Sequence, residues 1–372
     1  MTKVWPTRTL GELCQLISGQ HIEAKDYNVD ARGVGYLTGP SDFGPLNPII
    51  SKWTEHPKIK AKRGDILITV KGSGVGKINL LDEDEVAISR QLMAVRVTGA
   101  DPRFVHAVLS STFDHFQSLS TGAAIPGISR EQVLGLKIML PGLPEQRRIV
   151  GILDEAFDGI ATAKANAEKN LQNARALFDS HVHSIFAYPG VGWAETTIDT
   201  LATNLDSKRI PITKSDRKSG EYPYYGASGI VDYVADYIFD GDTLLISEDG
   251  ANLLMRSTPI AFSVTGKYWV NNHAHILKFP NMATQKFVEI YLESIKLDEY
   301  ITGAAQPKLN QKALNSIPIP IPRTVDGQAE IVDGIQSLST ETRRLESIYQ
   351  RKLAALDALK KSLLHQAFSG QL

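Results

Sequence analysis

The sequence predicts an α+β protein in which two tandem α/β domains are separated by two long helices that form an antiparallel coiled coil. Three observations support this prediction. The chain of 372 residues repeats itself once from end to end. Short apolar runs alternate with turn residues in the first part of each repeat. A long helix with heptad spacing closes each repeat.

The internal repeat organises the whole chain. Gly64-Asp-Ile-Leu-Ile68 recurs as Gly241-Asp-Thr-Leu-Leu-Ile246, and Thr121-Gly-Ala-Ala124 recurs as Thr302-Gly-Ala-Ala305. The offset between matching residues grows only from 177 to 182 positions, so the matches keep their order along the chain. We therefore predict a tandem duplication of a unit of about 180 residues, which is too long for a solenoid repeat.

Each repeat divides into a mixed region and a helix. We expect the first domain at residues 1–143, the central helix at 144–187, the second domain at 188–327 and the carboxyl-terminal helix at 328–372. In the mixed regions, apolar runs bounded by turn residues predict β-strands. These runs are 65–70, 86–88, 93–97, 136–140, 243–246, 260–264 and 275–279.

The spacing of apolar residues predicts the two long helices. Pro144 suits the first position of a helix, where its missing N–H costs nothing. Apolar residues then recur every three or four positions, which favours a coiled coil in which each helix covers the stripe of the other. The alternative is that each helix packs on its own domain. The stripes comprise Leu153, Ala156, Ile160, Ala163, Ala167, Leu171, Ala174, Phe178, Val182 and Ile185, then Ile331, Ile335, Leu338, Leu345, Tyr349, Leu353, Leu356, Leu363 and Ala367.

Composition favours a soluble, cytoplasmic protein. Cys14 is the single cysteine, which excludes a disulfide framework and a zinc site built on paired thiolates. The amino terminus has no apolar core of a secretory signal, and no apolar run approaches the roughly 20 residues that span a bilayer.

The charge balance does not by itself predict nucleic-acid binding, which needs Lys and Arg for phosphate contacts. The formal net charge is -1 at pH 7. Residues 1–143 carry 16 basic and 14 acidic groups, and residues 188–327 carry 13 and 16. Any surface that binds DNA must therefore be local, with acidic residues turned away from it.

Two motifs resemble a phosphate-binding loop and a metal site, but their residues do not fit either kind of site. Gly72-Ser-Gly-Val-Gly-Lys77 lacks the first glycine and the final Ser or Thr of a phosphate-binding loop, so it predicts a tight hairpin. His273 and His275 have no neighbouring Cys or carboxylate in the sequence, so we expect no metal site. Asn271 and Asn272 form a polar edge with His273, either a surface that contacts adenine or a solvated turn.

Polar clusters in the predicted loops are the candidates for DNA binding. Each cluster alone is typical of an exposed turn, but the clusters recur at matching places, since Ser129 aligns with Asn310. The candidates are Gln20, His21, Lys71, Ser73, Arg90, Gln91, Ser129, Arg130, Lys208, Arg209, Asn252, Asn271, Asn272, His273, Lys308 and Asn310.

No catalytic constellation stands out. The chain has no Asn/Asp-Pro-Pro-Tyr/Phe tetrapeptide, the element that holds the target amine in amino-methyltransferases. It has no glycine fingerprint between a strand and a helix, no paired nuclease carboxylates with a lysine, and no visible nucleophile triad. These absences favour a binding module without a catalytic site.

The chain resembles the specificity subunits of type I restriction–modification systems over essentially its whole length. The Leu-Pro-x-x-Glu-Gln junction and the carboxyl-terminal segment are the more specific matches, and Gly327-Gln328 departs from the usual Glu-Gln at the second junction. The matching motifs are Leu10-Gly-Glu-Leu13, Gly64-Asp-Ile-Leu-Ile68, Thr121-Gly-Ala-Ala124, Ile138-Met-Leu-Pro-Gly-Leu-Pro-Glu-Gln-Arg-Arg-Ile-Val150, Tyr222-Pro-Tyr-Tyr-Gly-Ala-Ser-Gly-Ile230, Ser247-Glu-Asp-Gly-Ala-Asn252, Asn271-Asn-His-Ala-His-Ile-Leu277 and Leu363-Leu-His-Gln-Ala-Phe-Ser-Gly370.

The resemblance implies two target-recognition domains held apart by two antiparallel helices. It also implies assembly with two methyltransferase subunits that use S-adenosylmethionine, and with restriction subunits that use ATP and Mg²⁺. Such an assembly methylates adenine in a split double-stranded DNA target or cleaves unmodified DNA, with no catalysis in this chain. Two alternatives stay open: a standalone enzyme acting on nucleic acid, and a duplicated scaffold with no role in DNA binding.

Overall fold

The computed structural model describes residues 5–122, 125–303 and 306–372. Residues 1–4 and the alanine pairs 123–124 and 304–305 of the repeated Thr-Gly-Ala-Ala motif lie outside the described residues. The chain forms two compact units, Met1–Ala167 with Arg351–Leu372 and Glu168–Gln350. Each unit therefore combines one mixed region with a segment of both long helices.

The mixed region of the first unit contains short strands and four short helices, α1 (Leu10–Leu13), α2 (Pro102–Ser110), α3 (Phe113–Leu119) and α4 (Arg130–Leu134), within the described residues. Single 3₁₀ turns lie at Ala24–Asp26 and Pro40–Asp42. The strands are β1 (Thr7–Thr9), β2 (Cys14–Ser18), β3 (Val34–Leu37), β4 (Trp53–Thr54), β5 (Lys60–Lys62), β6 (Ile66–Thr69), β7 (Ile78–Leu80), β8 (Glu85–Ile88), β9 (Leu92–Val97) and β10 (Lys137–Met139).

The strands of the first unit form two four-stranded sheets and one small ribbon. One sheet has the order β2-β9-β6-β7, the other β4-β3-β8-β5, and β1 pairs with β10. Neighbouring strands are antiparallel except for β3 and β8, which run parallel. The glycine-rich motif at 72–77 connects β6 to β7, so a hairpin is confirmed, but its connection, residues 70–77, is longer than the tight turn that the sequence predicts.

The helix α5 (Leu143–Ala187) follows, and the second unit then repeats the plan of the first. Its helices are α6 (Ile198–Leu201), α7 (Asn252–Met255), α8 (Met282–Ser294), α9 (Gln311–Asn315) and α10 (Val325–Phe368), with 3₁₀ turns at Asp206–Lys208 and Asp298–Tyr300. Its strands are β11 (Trp193–Thr197), β12 (Thr203–Asn204), β13 (Ser219–Gly226), β14 (Gly229–Val234), β15 (Phe239–Asp240), β16 (Thr243–Ser247), β17 (Ala261–Val264), β18 (Lys267–Val270), β19 (Ala274–Lys278) and β20 (Pro318–Pro322).

The two units have the same sheet topology strand for strand. The second unit has sheets of order β12-β19-β16-β17 and β14-β13-β18-β15, with β11 paired to β20. Its parallel pair, β13 with β18, corresponds to β3 with β8. The registers also correspond, because Ile68 lies opposite Met93 and Ile246 lies opposite His275. The duplication predicted from the sequence is confirmed at the level of the fold.

A buried glutamine joins each mixed region to its long helix. The Nε2 of Gln146 donates to the carbonyl of Pro141 at 2.7 Å, and its Oε1 accepts from the backbone N–H of Asp101 at 2.8 Å. The Nε2 of Gln328 donates to the carbonyl of Pro322 at 2.8 Å. Since buried amides need partners, the repeated junction motif has a structural reason.

Segments of α5 and α10 run antiparallel within each unit. In the first unit Arg148 donates to the carbonyl of Leu372 and Lys164 pairs with Asp357, and in the second Arg175 pairs with Glu346. Leu153 and Ile335 are 2% and 3% exposed and belong to the cores of their units. The helices therefore pack both on each other and on the domains, which combines the two alternatives left open by the sequence.

The predicted apolar stripes are wrong at one residue, Leu345. Leu345 is 42% exposed, whereas Thr342, Glu346 and Tyr349 are half-buried. An α-helix turns every 3.6 residues, so its contact face drifts away from a strict repeat of 3.5. At this level of α10, Glu346 therefore faces α5 in place of Leu345, and it pairs with Arg175.

Candidate nucleic-acid interface

In the first unit, the turn between β8 and β9 is held by hydrogen bonds on both sides of Arg90. The N–H of Ser89 donates to the carbonyl of Leu37 at 3.0 Å, and the N–H of Gln91 donates to the Ser89 hydroxyl at 3.2 Å. The carbonyl of Gln91 accepts from the N–H of Val70 at 2.8 Å. The ends of three strands thus fix the turn and leave its central residue outside.

Neighbouring loops contact the same turn. A Cβ on Gly19 would lie 2.1 Å from the carbonyl oxygen of Ser89, so only glycine allows this approach. The next residue, Gln20, donates its N–H to the carbonyl of Ile88 at 2.9 Å. The side chain of Gln91 lies against Gly39.

The β6–β7 hairpin and the loop before α4 complete this end of the unit. Lys71 forms a backbone bridge with Gly127, and the N–H of Gly72 donates to the carbonyl of Pro126 at 2.8 Å. Arg130 donates to the hydroxyl of Ser18 at 3.3 Å. The structure therefore brings together five predicted candidates at one end of the unit, namely Gln20, Lys71, Arg90, Gln91 and Arg130.

Several of these side chains are exposed and uncommitted. Within the described residues, no hydrogen bond or ion pair forms at the side chains of Gln20, His21, Lys71, Ser73 and Arg90. Lysine and arginine at such a surface suit phosphate and base-edge contacts, because both bring charged donors. This loop surface can bind an anionic polymer without first breaking internal contacts.

In the second unit, the turn between β18 and β19 has the same construction. The N–H of Asn271 donates to the carbonyl of Tyr225 at 3.0 Å, and the N–H of His273 donates to the Asn271 side-chain oxygen at 2.8 Å. The carbonyl of His273 accepts from the N–H of Glu248 at 2.9 Å. Asn272 is exposed at the centre of the turn, where the first unit has Arg90.

Charged groups support this second turn from below. Arg209 donates from Nη1 to the carbonyls of Ala274 at 2.8 Å and Asn272 at 3.4 Å, and it also pairs with Glu248. Lys308 pairs with the other oxygen of Glu248 at 3.1 Å. The Arg209 side chain is only 15% exposed, so it serves the turn and is not available on the surface.

Asp206, Glu248 and His275 lie close enough to suggest a metal site, but their donor atoms are committed. The Nδ1 of His275 lies 2.6 Å from Asp206 Oδ2, and its Nε2 lies 2.7 Å from the carbonyl of Leu309. Both ring nitrogens of His275 therefore already have a hydrogen-bond partner within the protein. The geometry describes a buried ion-pair network.

Burial raises the pKa of Asp206 and of Glu248, but their partners outweigh it and hold both below the ordinary values. For Asp206 the larger opposing cause is the hydrogen bond and charge of His275. For Glu248 the opposing causes begin with the hydrogen bonds from Arg209 and Lys308. Both carboxylates are therefore charged at neutral pH.

All but one of the remaining candidates have local structural partners. Ser129 and Asn310 are the N-caps of α4 and α9, where they accept from the N–H groups of Gln132 and Ala313. Asn252 accepts from Ser257 and Thr258, and the ring of His273 pairs with Asp249. Lys208 is exposed, and its side chain has no partner in the described parts of the chain.

Sequence reasoning missed the carboxylates of this network. Glu248 takes the place of the buried Val70, and His275 takes the place of Met93. The available signal was a titratable residue in the second repeat at a position where the first repeat has an apolar residue. Asp206 gave no comparable signal, because the loop that carries it has diverged between the repeats.

No helix in the described ranges combines the length and the apolar character needed to cross a bilayer.

Comparison with known proteins identifies one family. The profile described as type I restriction modification DNA specificity domain matches residues 2–172 and 190–352. A Haemophilus influenzae protein named as a type I restriction enzyme specificity subunit is 37% identical over 145 residues, which are 39% of this chain and 37% of that protein. A Methanocaldococcus jannaschii protein named as the MjaX specificity subunit is 29% identical over 175 residues, 46% of this chain and 40% of that protein. The chain thus spans about two fifths of the curated relatives that it matches.

Two solved structures share the fold. A chain from a structure of the assembly and conformational transition of a type I R-M system aligns over 100% of both chains, with a TM-score of 0.81 at 17% identity. The HsdS subunit from Thermoanaerobacter tengcongensis aligns over 100% of this chain and 98% of its own, with a TM-score of 0.66 at 18% identity. At such identities the likeness concerns the fold alone.

Proposed function

We propose, from the premise that this chain belongs to the family of type I restriction–modification DNA specificity proteins, that it is the subunit that selects the DNA target. Each unit contacts one half of a two-part target in double-stranded DNA. One observation carries the proposal most directly. The two units have the same topology and build the same turn, yet present Arg90-Gln91 in one and Asn272-His273 in the other.

In this proposal the chemistry belongs to partner subunits. Two methyltransferase subunits use S-adenosylmethionine to methylate adenine in the target, and restriction subunits use ATP and Mg²⁺ to translocate and cleave unmodified DNA. The chain binds the target and its partner subunits, and the assembly is located in the cytoplasm. The committed donor atoms of His275 and the paired carboxylates around it support a role without catalysis.

A domain exchange tests the proposal. Residues 1–143, the first target-recognition domain in this proposal, are replaced by the matching region of a relative, and the chain is expressed with its methyltransferase partner. Mapping of methylated adenines across the genome gives the recognised sequence. We expect one half of the target to change and the other to stay, because each domain has its own sheets and turn.

The matched control exchanges residues 188–327 instead, which should change only the other half. Leu364 and Ala367 belong to the core of the first unit, so an exchanged domain must pack against the carboxyl-terminal helix. Thermal unfolding of each chimera tests whether it folds with the new domain in place. A change in both halves, or in neither, contradicts the proposal.

A further inference from the structure

We propose that the central residue of each turn contacts one base directly: Arg90 a guanine in one half of the target, and Asn272 an adenine in the other. This inference rests on the proposed function and deepens it, because it assigns two specificity-determining residues and the bases they select. It starts from the correspondence of the two turns.

The correspondence is established bond by bond. Ser89 and Asn271 donate their N–H groups to the last or penultimate residues of matching strands, Leu37 and Tyr225. In both turns the side chain of the first residue accepts from the N–H of the third residue, at 3.2 Å and 2.8 Å. In both turns the carbonyl of the third residue accepts from the end of a matching central strand.

The side chain of the first residue and the backbone of the third are therefore structural, whereas the side chain of the second residue makes none of these bonds. Arg90 and Asn272 are both exposed. Neither side chain has a hydrogen bond or ion pair to any residue that the structure describes. A rigid turn that presents an uncommitted side chain avoids the cost of ordering its own backbone on binding, which suits a specific contact.

The chemistry of Arg90 selects guanine. A guanidinium presents paired donors that match O6 and N7 of guanine in the major groove. The neighbouring Lys71 is also exposed, but a lysine ammonium is a compact charge that suits a phosphate. The same surface thus offers a base contact at Arg90 and a positioning contact at Lys71.

The chemistry of Asn272 selects adenine. A side-chain amide offers one donor and one acceptor, which match N7 and N6 of adenine. Asn272 carries no charge and so gains little from a phosphate. Arg209 donates to the backbone carbonyls of Asn272 and Ala274, so the charge of this turn is engaged with its backbone and holds that backbone in place.

The test uses the chain in complex with its methyltransferase subunits, in cells, with methylated adenines mapped across the genome. Arg90→Ala should relax one guanine position in one half of the target, with a roughly 5- to 150-fold loss of preference there. Asn272→Ala should relax one adenine position in the other half by a similar factor. All other positions should keep their base.

Two further variants separate base contact from phosphate contact. Arg90→Lys keeps the charge but loses the paired donors, so it should relax the same guanine. Lys71→Ala should lower methylation at all sites and leave the recognised sequence unchanged. If Arg90→Ala behaves like Lys71→Ala, or relaxes a base other than guanine, the inference is wrong.

The inference and the proposed function fail in different ways. If the wild-type complex methylates no two-part sequence, the proposed function is wrong. If the wild-type sequence is two-part but Arg90→Ala and Asn272→Ala both leave it unchanged, only the inference is wrong. Thermal unfolding of the four variants should match the wild type, because the substituted side chains have no hydrogen bond or ion pair to any residue described by the structure.

Discussion

The two units form the same turn, but different side chains pack beneath it. In the first unit, buried Val70 and half-buried Met93 lie at the positions that support the turn. In the second unit, the matching positions hold Glu248 and His275, with Arg209 completing an ion-pair network. The register of β6 with β9 is the same as that of β16 with β19.

This difference shows which features of the repeat are constrained. The backbone pairing and the bonds of the turn are common to both units, while the side chains beneath them are apolar in the first unit and charged in the second. A buried ion pair adds little stability over an apolar contact, but it fixes direction and is costly to break. The second turn should therefore depend on single charged residues more strongly than the first.

The largest effect should come from a feature that the units share. Leu153 and Ile335 are buried at matching places of the two helices, so Leu153→Asp and Ile335→Asp each place an unpaired charge in a core. We expect each to lower the free energy of unfolding by about 3–5 kcal/mol and to prevent assembly with partner subunits. Chemical denaturation and gel filtration measure the two effects.

Leu177→Asp is the matched control, because Leu177 lies on α5 but is 68% exposed. It should change the free energy of unfolding by less than about 0.5 kcal/mol. Wild-type stability of either core variant would show that the helix does not pack in that unit as described.

A second experiment addresses the difference between the units. Arg209→Met removes the cation that pairs with Glu248 and donates to two carbonyls of the turn. We expect a loss of about 3 kcal/mol in the free energy of unfolding, because it leaves a buried carboxylate with one partner fewer. Lys208→Met, at the adjacent exposed position, should have an effect of less than about 0.5 kcal/mol. Equal effects of the two variants would mean that the network does not support the turn.

The network also predicts a dependence on pH. Its partners hold the pKa of Glu248 below the ordinary value of 4.5, so the unfolded chain binds this proton more readily. The stability that Glu248 provides is present above about pH 4.5 and is lost as the pH falls below it. Glu248→Gln should therefore be most destabilising near pH 7 and approach the wild type at low pH. Urea unfolding at several pH values measures the gap, and a gap that widens toward acid contradicts the assignment.

The smallest effects should come from the two caps. Ser129→Ala and Asn310→Ala each remove an acceptor from the start of a helix of five residues. We expect each to cost about 1 kcal/mol, with the recognised sequence unchanged. The reciprocal variants Ser129→Asn and Asn310→Ser preserve an acceptor and should be nearly neutral. A change of recognised base in either alanine variant would instead give these residues a direct role in binding.

Much of the fold could be predicted because it follows from periodic patterns. The repeat, both long helices and the central strands β6, β9, β16 and β19 carry strong apolar signals. Several of the shortest edge strands could not be predicted. Strands such as β4 (Trp53–Thr54) and β15 (Phe239–Asp240) have two residues each, and their pairing depends on neighbours distant in the sequence.

The candidate site was predicted as a set of residues but not as a set of roles. Ser129 is followed three positions later by Gln132, a capping-box pattern that could have identified the cap. Arg209 gave no such signal, because its partners Glu248 and Ala274 are brought to it only by tertiary folding. Loop position predicts exposure, and exposure alone does not separate a supporting side chain from a binding one.

The first unit consists of two segments that are distant in the sequence, and this has a consequence for synthesis on the ribosome. Leu364, Ala367 and Phe368 pack in the core formed by the amino-terminal domain, and Phe368 contacts the ring of Phe104 edge-on. The first unit therefore cannot complete its core until residues 351–372 have been made. The second unit, which is continuous in sequence, can close before then. The domain that is translated first is finished last, so its unfinished apolar surface is the part of the nascent chain most in need of chaperone protection.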